Sequence, residues 1–102
     1  MTRTVVKRVK ALWDIIGIAE FLGRDDPAVA ERFMDAVEAS LEFLRDFPES
    51  GAKFKTKNER MRDARLWPVK GFPNHLIIFR PQNDLIDVLR MCHGARNLDD
   101  LP

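Results

Sequence analysis

Few side chains in this sequence could do chemistry, and they gather in its C-terminal half. His75 and His93 are the two groups able to exchange a proton near neutral pH. Cys92 is the single cysteine, so no disulfide can close within the chain and no cysteine cluster offers a zinc site. The histidines do not stand at HExxH-like spacing, so neither a metal nor any other cofactor is expected. Near them in sequence lie Arg65, Arg80, Arg90 and Arg96, cations suited to meeting negative charge on a partner.

The net charge of +1 conceals a strong segregation. Residues 1–10 carry +4, residues 11–52 carry −7, and residues 53–96 carry +6, before Asp99 and Asp100 close the chain. An acidic middle flanked by basic stretches points to an anionic partner for the basic part. With 102 residues, 45% hydrophobic and 32% charged, the chain is expected to form one globular domain over 1–102. Met1–Lys10 mixes charges with its valines and lacks an apolar signal core. No stretch approaches the ~20 apolar residues of a membrane span. A soluble, cytoplasmic protein without a membrane partner is the expectation.

These side chains must be positioned by elements that the pattern of apolar residues suggests. Thr2–Val9 alternates weakly and predicts a strand, an outer one. Ala11–Leu22 predicts a helix whose apolar face is Leu12, Ile15, Ile16, Ala19 and Leu22, widened by Trp13, Ile18 and Phe21 and ended by Gly23. Asp26 and Pro27 form the clearest start signal: a side-chain cap, then a residue whose missing N–H would be unpaired there anyway. Ala30, Phe33, Val37, Leu41 and Leu44 follow as one stripe, which stops at Phe47–Gly51. The short connection predicts an antiparallel helical hairpin. Ala52–Glu59 reads as a polar loop and Arg62–Val69 as a strand. Residues 70–73 read as a turn, His75–Arg80 as a central strand buried on both faces, 81–84 as a second turn, and Leu85–Cys92 as the last strand. The fold class is α+β in β-α-α-β-β-β order, an antiparallel sheet with the N-terminal helical hairpin packed on one face.

The run Trp67-Pro68-Val69-Lys70-Gly71-Phe72-Pro73-Asn74-His75-Leu76-Ile77-Ile78-Phe79 resembles the central hairpin of ParE-type toxins. The run Ile86-Asp87-Val88-Leu89-Arg90-Met91-Cys92-His93-Gly94-Ala95-Arg96-Asn97-Leu98 resembles their closing strand and tail, and Pro48-x-x-Gly51 fits the step after the second helix. On these residues the chain is similar to the ParE branch of the ParE/RelE toxin superfamily. The resemblance implies a toxin of a type II toxin–antitoxin system, the class associated with plasmid stabilization. It implies a cognate antitoxin, ParD-like or other, whose C-terminal segment wraps the toxin and blocks it. DNA gyrase is the implied target of the ParE branch, and mRNA on the ribosome that of the RelE branch. DNA itself would be met only indirectly, through the antitoxin complex. Trp13, Phe21 and Trp67 are the expected antitoxin contacts, and Arg65, Arg80, Arg90, His93 and Arg96 the expected target contacts.

The two branches differ in chemistry. RNA cleavage through 2′-hydroxyl attack needs a base, an acid for the leaving oxygen, and cations for the charged transition state. His93 with Arg90, Arg65 and Arg96 would be the catalytic set, with Arg80 as a further cation. The chain has no tyrosine, so a catalytic Tyr of the kind some RelE-type enzymes use is absent. Arg90 and His93 are three residues apart and point to opposite faces of a regular strand. Only a bulge or strand end near Cys92 would bring them together. Lys57 and Glu59, in the loop, are the remaining substitutes. The expectation is an inhibitor of gyrase without reaction chemistry of its own. An mRNA endoribonuclease and an inactive antitoxin-binding member are the alternatives. A structural role is open for each residue: His93 as a strand end, Arg90 as a link to Glu38 or Glu42 on the acidic helices, and Leu98–Pro102 as a frayed end or a target-binding tail.

Overall fold

The computed structural model describes residues 3–53, 55–94 and 98–101. Strand β1 (Thr4–Lys7) leads into helices α1 (Val9–Leu22) and α2 (Pro27–Asp46). After a 3-10 turn at Pro48–Ser50 come β2 (Ala52–Lys53), a second such turn at Glu59–Met61, then β3 (Arg65–Val69), β4 (Phe72–Gln82) and β5 (Leu85–His93). The five strands form one sheet in the order β1-β5-β4-β3-β2. β1 runs parallel to β5, and the other neighbours are antiparallel.

The α+β class and the helical hairpin on one face are those the pattern predicts. Asp26 caps α2 by accepting a hydrogen bond from the Ala28 N–H at 3.0 Å, with Pro27 opening the helix. The α2 stripe is buried at Phe33, Val37, Leu41 and Leu44, packed on Ile77, Phe79, Ile86, Val88 and Met91 of the sheet. Ser40 on the same face donates to the Ala36 carbonyl and accepts from the Lys70 N–H, tying α2 to the β3–β4 hairpin. The opposite sheet face is covered too: Met61, Ala64 and Leu101 pack on Ile78, Leu89 and Cys92. That second layer explains why Leu76–Phe79 is apolar without alternation.

Several boundaries differ from the expected ones, each for a local reason. The buried face of α1 is Ala11 and Ile15, while Leu12 and Ile16 are each 42% exposed. Apolar residues circle almost the whole helix, so spacing could not select a face; packing did. Ala52–Lys53 is a short strand paired with Leu66 and Arg65, not loop. It reaches that position because Gly51 is buried against the Phe79 ring, where a side chain would collide. The first β turn is only Lys70-Gly71, with Gly71 at φ +80°, and the second is Asn83-Asp84, with Asn83 at φ 48°. β4 is longer than expected at both ends as a result. Leu101 is 3% exposed, so the tail is docked rather than frayed at that point. Asn58 Nδ2 donates to the Leu101 carbonyl at 3.2 Å, and Asp99 accepts from the Thr56 hydroxyl and the Lys57 N–H.

Candidate functional site

β4 and β5 decide which side chains can meet. Their register pairs His75 with His93, Ile77 with Met91 and Ile78 with Arg90, but Phe79 with Val88. Leu89 is therefore an extra residue, a bulge in the middle of β5. It lies before Arg90 and not between Arg90 and His93, so it does not bring those two side chains to one face. Leu89 and Arg90 consequently both serve the face away from the helices, whereas Met91 returns to the helix-side core.

His93 lies on the helix side. Its ring meets the His75 ring edge-on at 5.5 Å, and His75 in turn meets Phe33 of α2 at 5.6 Å. Burial, followed by the charge of His93, holds the His75 imidazole below its usual pKa and favours its neutral form. His75 Nδ1 is buried without a hydrogen-bond partner among the described residues.

Arg65 pairs in register with Phe79 and also belongs to the helix side. Its guanidinium donates to the carbonyls of Glu49 and Gly51 at 3.2 and 2.8 Å, which fastens the turn after α2. Arg65 and His93 are separated by four residues along β4, roughly 13 Å at the usual strand rise. Arg90 and Arg80 face the other way. The proposed catalytic set is thus divided between two faces, and Arg96 lies outside the described residues.

Arg90 does link the sheet to a helix, but through Asp14 of α1 and not through Glu38 or Glu42. Arg90 Nε and Nη2 donate to the two Asp14 oxygens at 2.7 and 3.0 Å, and both side chains are largely buried. The bond to Asp14 raises the guanidinium pKa further above its already high value. Glu38 pairs instead with Lys7, at 2.7 Å.

The non-helical face carries a cleft of about 520 Å³ at the start of α1. Its lining brings together Arg8, Lys10, Arg60, Arg80 and Arg90 around an apolar floor of Met61 and Leu89. Arg8 is held by a forked pair of bonds to Asp87, at 3.0 and 2.8 Å, which raises its pKa. Arg80 donates to the Arg60 carbonyl at 3.0 Å. The charge segregation signalled a basic region, but not that residues 8 and 10 would join residues 60, 80 and 90. That assembly follows from β1 lying beside β5.

The expected antitoxin contacts fall into two patches. Trp13 and Phe21 stand on α1, 68% and 62% exposed, with Val9, Leu12 and Ile16 beside Trp13. Trp67 on β3 is half-buried and stacks on Phe43 of α2 at 5.2 Å, next to the exposed Phe47. Among the described residues no helix is long and apolar enough to cross a membrane, and no group of three or more His, Cys, Asp or Glu could hold a metal ion.

Comparison with known proteins agrees with this architecture. Toxin RelE2 of Caulobacter vibrioides is 26% identical over 92 residues, covering 90% of this chain and 96% of that protein. The solved structure of the chromosomal ParDE TA system from P. aeruginosa superposes with a TM-score of 0.70 at 16% identity, covering 90% of this chain and 96% of that one, a likeness of fold. Residues 5–98 match the family described as the ParE toxin of the type II toxin–antitoxin system, parDE. The chain belongs to the ParE toxin family, within the ParE/RelE superfamily of type II toxin–antitoxin toxins.

Proposed function

We propose that this toxin acts by binding DNA gyrase and halting replication, and that a cognate antitoxin neutralises it by covering its exposed apolar surface. The observation that carries the reading is the division of His93 from Arg80 and Arg90 by the plane of the sheet. Cleavage of RNA needs the proton-transferring group and the charge-stabilising cations around one phosphate. Here the imidazole pair faces the helices and the cationic cleft opens on the other side. A protein-binding inhibitor needs no such convergence. The antitoxin reading is supported by Val9, Leu12, Trp13, Ile16 and Phe21, a run of exposed apolar side chains on one helix that suits an amphipathic partner segment.

Expression without antitoxin should arrest growth, filament the cells and induce the DNA-damage response while translation continues. A His93→Ala chain should be as toxic as the parent. Intact replication during verified expression of the protein would overturn the gyrase reading.

Ribosome-dependent cleavage of mRNA is the second reading, favoured by the relative named Toxin RelE2. It requires ribosome-phased cuts in cellular messages that disappear in His93→Ala. Normal growth throughout would instead indicate an inactive antitoxin-binding member.

A further inference from the structure

We propose that Gly17 of α1 is a specificity determinant for the antitoxin: a notch in an exposed apolar row that receives one aliphatic side chain from an amphipathic antitoxin helix with acidic flanks. The inference rests on the antitoxin reading above and deepens it. Val9, Trp13, Gly17 and Phe21 recur at every fourth position, so they form one ridge along α1. Val9, Trp13 and Phe21 are all largely exposed, and the row spans about 18 Å at the usual helical rise. Gly17 is the gap in it. Nothing inside the molecule asks for a glycine at this point. Gly23 and Gly51 stand where a Cβ would collide, with Ala30 Cβ at 2.8 Å and with Phe79 Cζ at 2.6 Å, and Gly71 has φ +80°. Gly17 lies exposed in the helix interior, with no packing neighbour within 4 Å of the place a Cβ would take.

A helix interior disfavours glycine relative to alanine, so Gly17 weakens α1 and no contact in the free toxin compensates. A partner supplies the reason. Without a Cβ, a side chain from a second helix can enter between Trp13 and Phe21 and close on the α1 backbone. The gap is one residue wide, the size that Leu and Ile knobs fill where helices pack together. Charge selects the flanks of that helix. Lys10 and Arg24, near the two ends of the row, have no carboxylate within 4 Å among the described residues, and Asp14 is occupied by Arg90. Glu20 is the one exposed acid between them. Arg24 rests over the Phe21 ring, 5.3 Å from its centroid, so its charge stays beside the row. The adjacent α2 exposes Glu31, Asp35 and Glu42, which turn an acidic segment away from α2 and toward α1.

The test measures binding of the cognate antitoxin to the parent toxin, Gly17→Ala, Gly17→Leu and Trp13→Asp by calorimetry, with the thermal midpoint of each free toxin. Both Gly17 variants should melt at or above the parent, because the added side chain meets open space in a helix interior. Affinity should fall from parent to Gly17→Ala to Gly17→Leu, the last at least about tenfold below the parent. Lys10→Glu with Arg24→Glu should also weaken binding; unchanged or tighter binding would overturn the acidic flanks. Loss of affinity in Trp13→Asp with parent-like binding by Gly17→Leu overturns the notch and leaves the antitoxin on α1. Parent-like binding by both overturns the notch and the antitoxin reading together. A lower midpoint in both Gly17 variants contradicts the open space and overturns the proposal as well. If the free toxin sediments as a dimer that Gly17→Leu dissociates, the row belongs to a second copy of this chain and the proposal falls.

Discussion

The Asp14 carboxylate of α1 holds both the Arg90 guanidinium and the Met91 N–H of β5, with contacts of 2.7, 3.0 and 3.0 Å. The relationship follows from the shortness of β1. Its last pair with β5 is Lys7 with Val88, so among the described residues the outer edge of β5 beyond that point has no neighbouring strand. Asp14 supplies the missing acceptor and neutralises the arginine that the Leu89 bulge presents there. The same contact sets the rotation of α1, turning Ala11 and Ile15 inward and leaving Trp13 exposed.

Replacing Asp14 by Ala strands a largely buried guanidinium and an edge N–H. A loss of about 3 kcal/mol is expected, comparable to breaking other buried pairs from one side. Thermal unfolding should show it as a fall in midpoint of more than about 10 °C in a domain of this size. Asp14→Ala combined with Arg90→Met should recover part of the loss, since no charge is then left unpaired. A double variant as unstable as the two single losses added would contradict this account of the pair.

Gly51→Ala tests the approach of β2 to the core. A Cβ there would lie 2.6 Å from Phe79 Cζ and 2.9 Å from Arg65 Cβ. Phe79 is fully buried and Arg65 is tied to Gly51 and Glu49, so neither can withdraw cheaply. Overpacking of this kind costs about 1–3 kcal/mol. Urea denaturation should register it as a lower midpoint with an unchanged slope.

The pH dependence of stability should carry the mark of His75. Burial disfavours its imidazolium in the native protein, so the unfolded chain takes up the proton more readily. Stability must then fall as pH drops below the unfolded imidazole value of about 6.5, and level off once native His75 also protonates. His75→Phe, which keeps a ring against Phe33, should flatten that part of the profile. An unchanged slope between the two chains would assign the acid sensitivity to other groups.

Trp13→Asp and Phe21→Asp probe the proposed antitoxin surface. Both side chains project from α1 with little burial, so folding should be unaffected. Loss of a buried aromatic anchor from an interface commonly costs about 2 kcal/mol or more, so affinity for the antitoxin should fall at least about tenfold in calorimetry. Trp67→Ala should weaken stability as well, because Trp67 stacks on Phe43. Equal affinities for the parent and both α1 variants would move the antitoxin to another surface.

Much of the architecture was legible because its determinants are local or periodic. Asp26-Pro27 marks the start of α2, the Phe33–Leu44 spacing marks its buried face, and Leu76–Phe79 announces a strand covered on both sides. The family was legible from the ordered residues between Trp67 and Leu98. The site was less so. Spacing leaves Arg90 open between a target contact and a link to Glu38 or Glu42, and its partner is Asp14, seventy-six residues away in sequence. Nothing local connects Lys10 with Arg60, which meet only across the cleft.

Sequence alone therefore determined both helices, four of the five strands, the order of these elements and the family, since capping, periodicity and turn chemistry act over a few neighbouring residues. Tertiary structure decided which face of α1 is buried, where β5 gains its extra residue, and that His93 and Arg90 look in opposite directions. Those outcomes depend on strand pairing and register between distant segments. A shift of one residue at Leu89 changes the side of the sheet that every following side chain occupies.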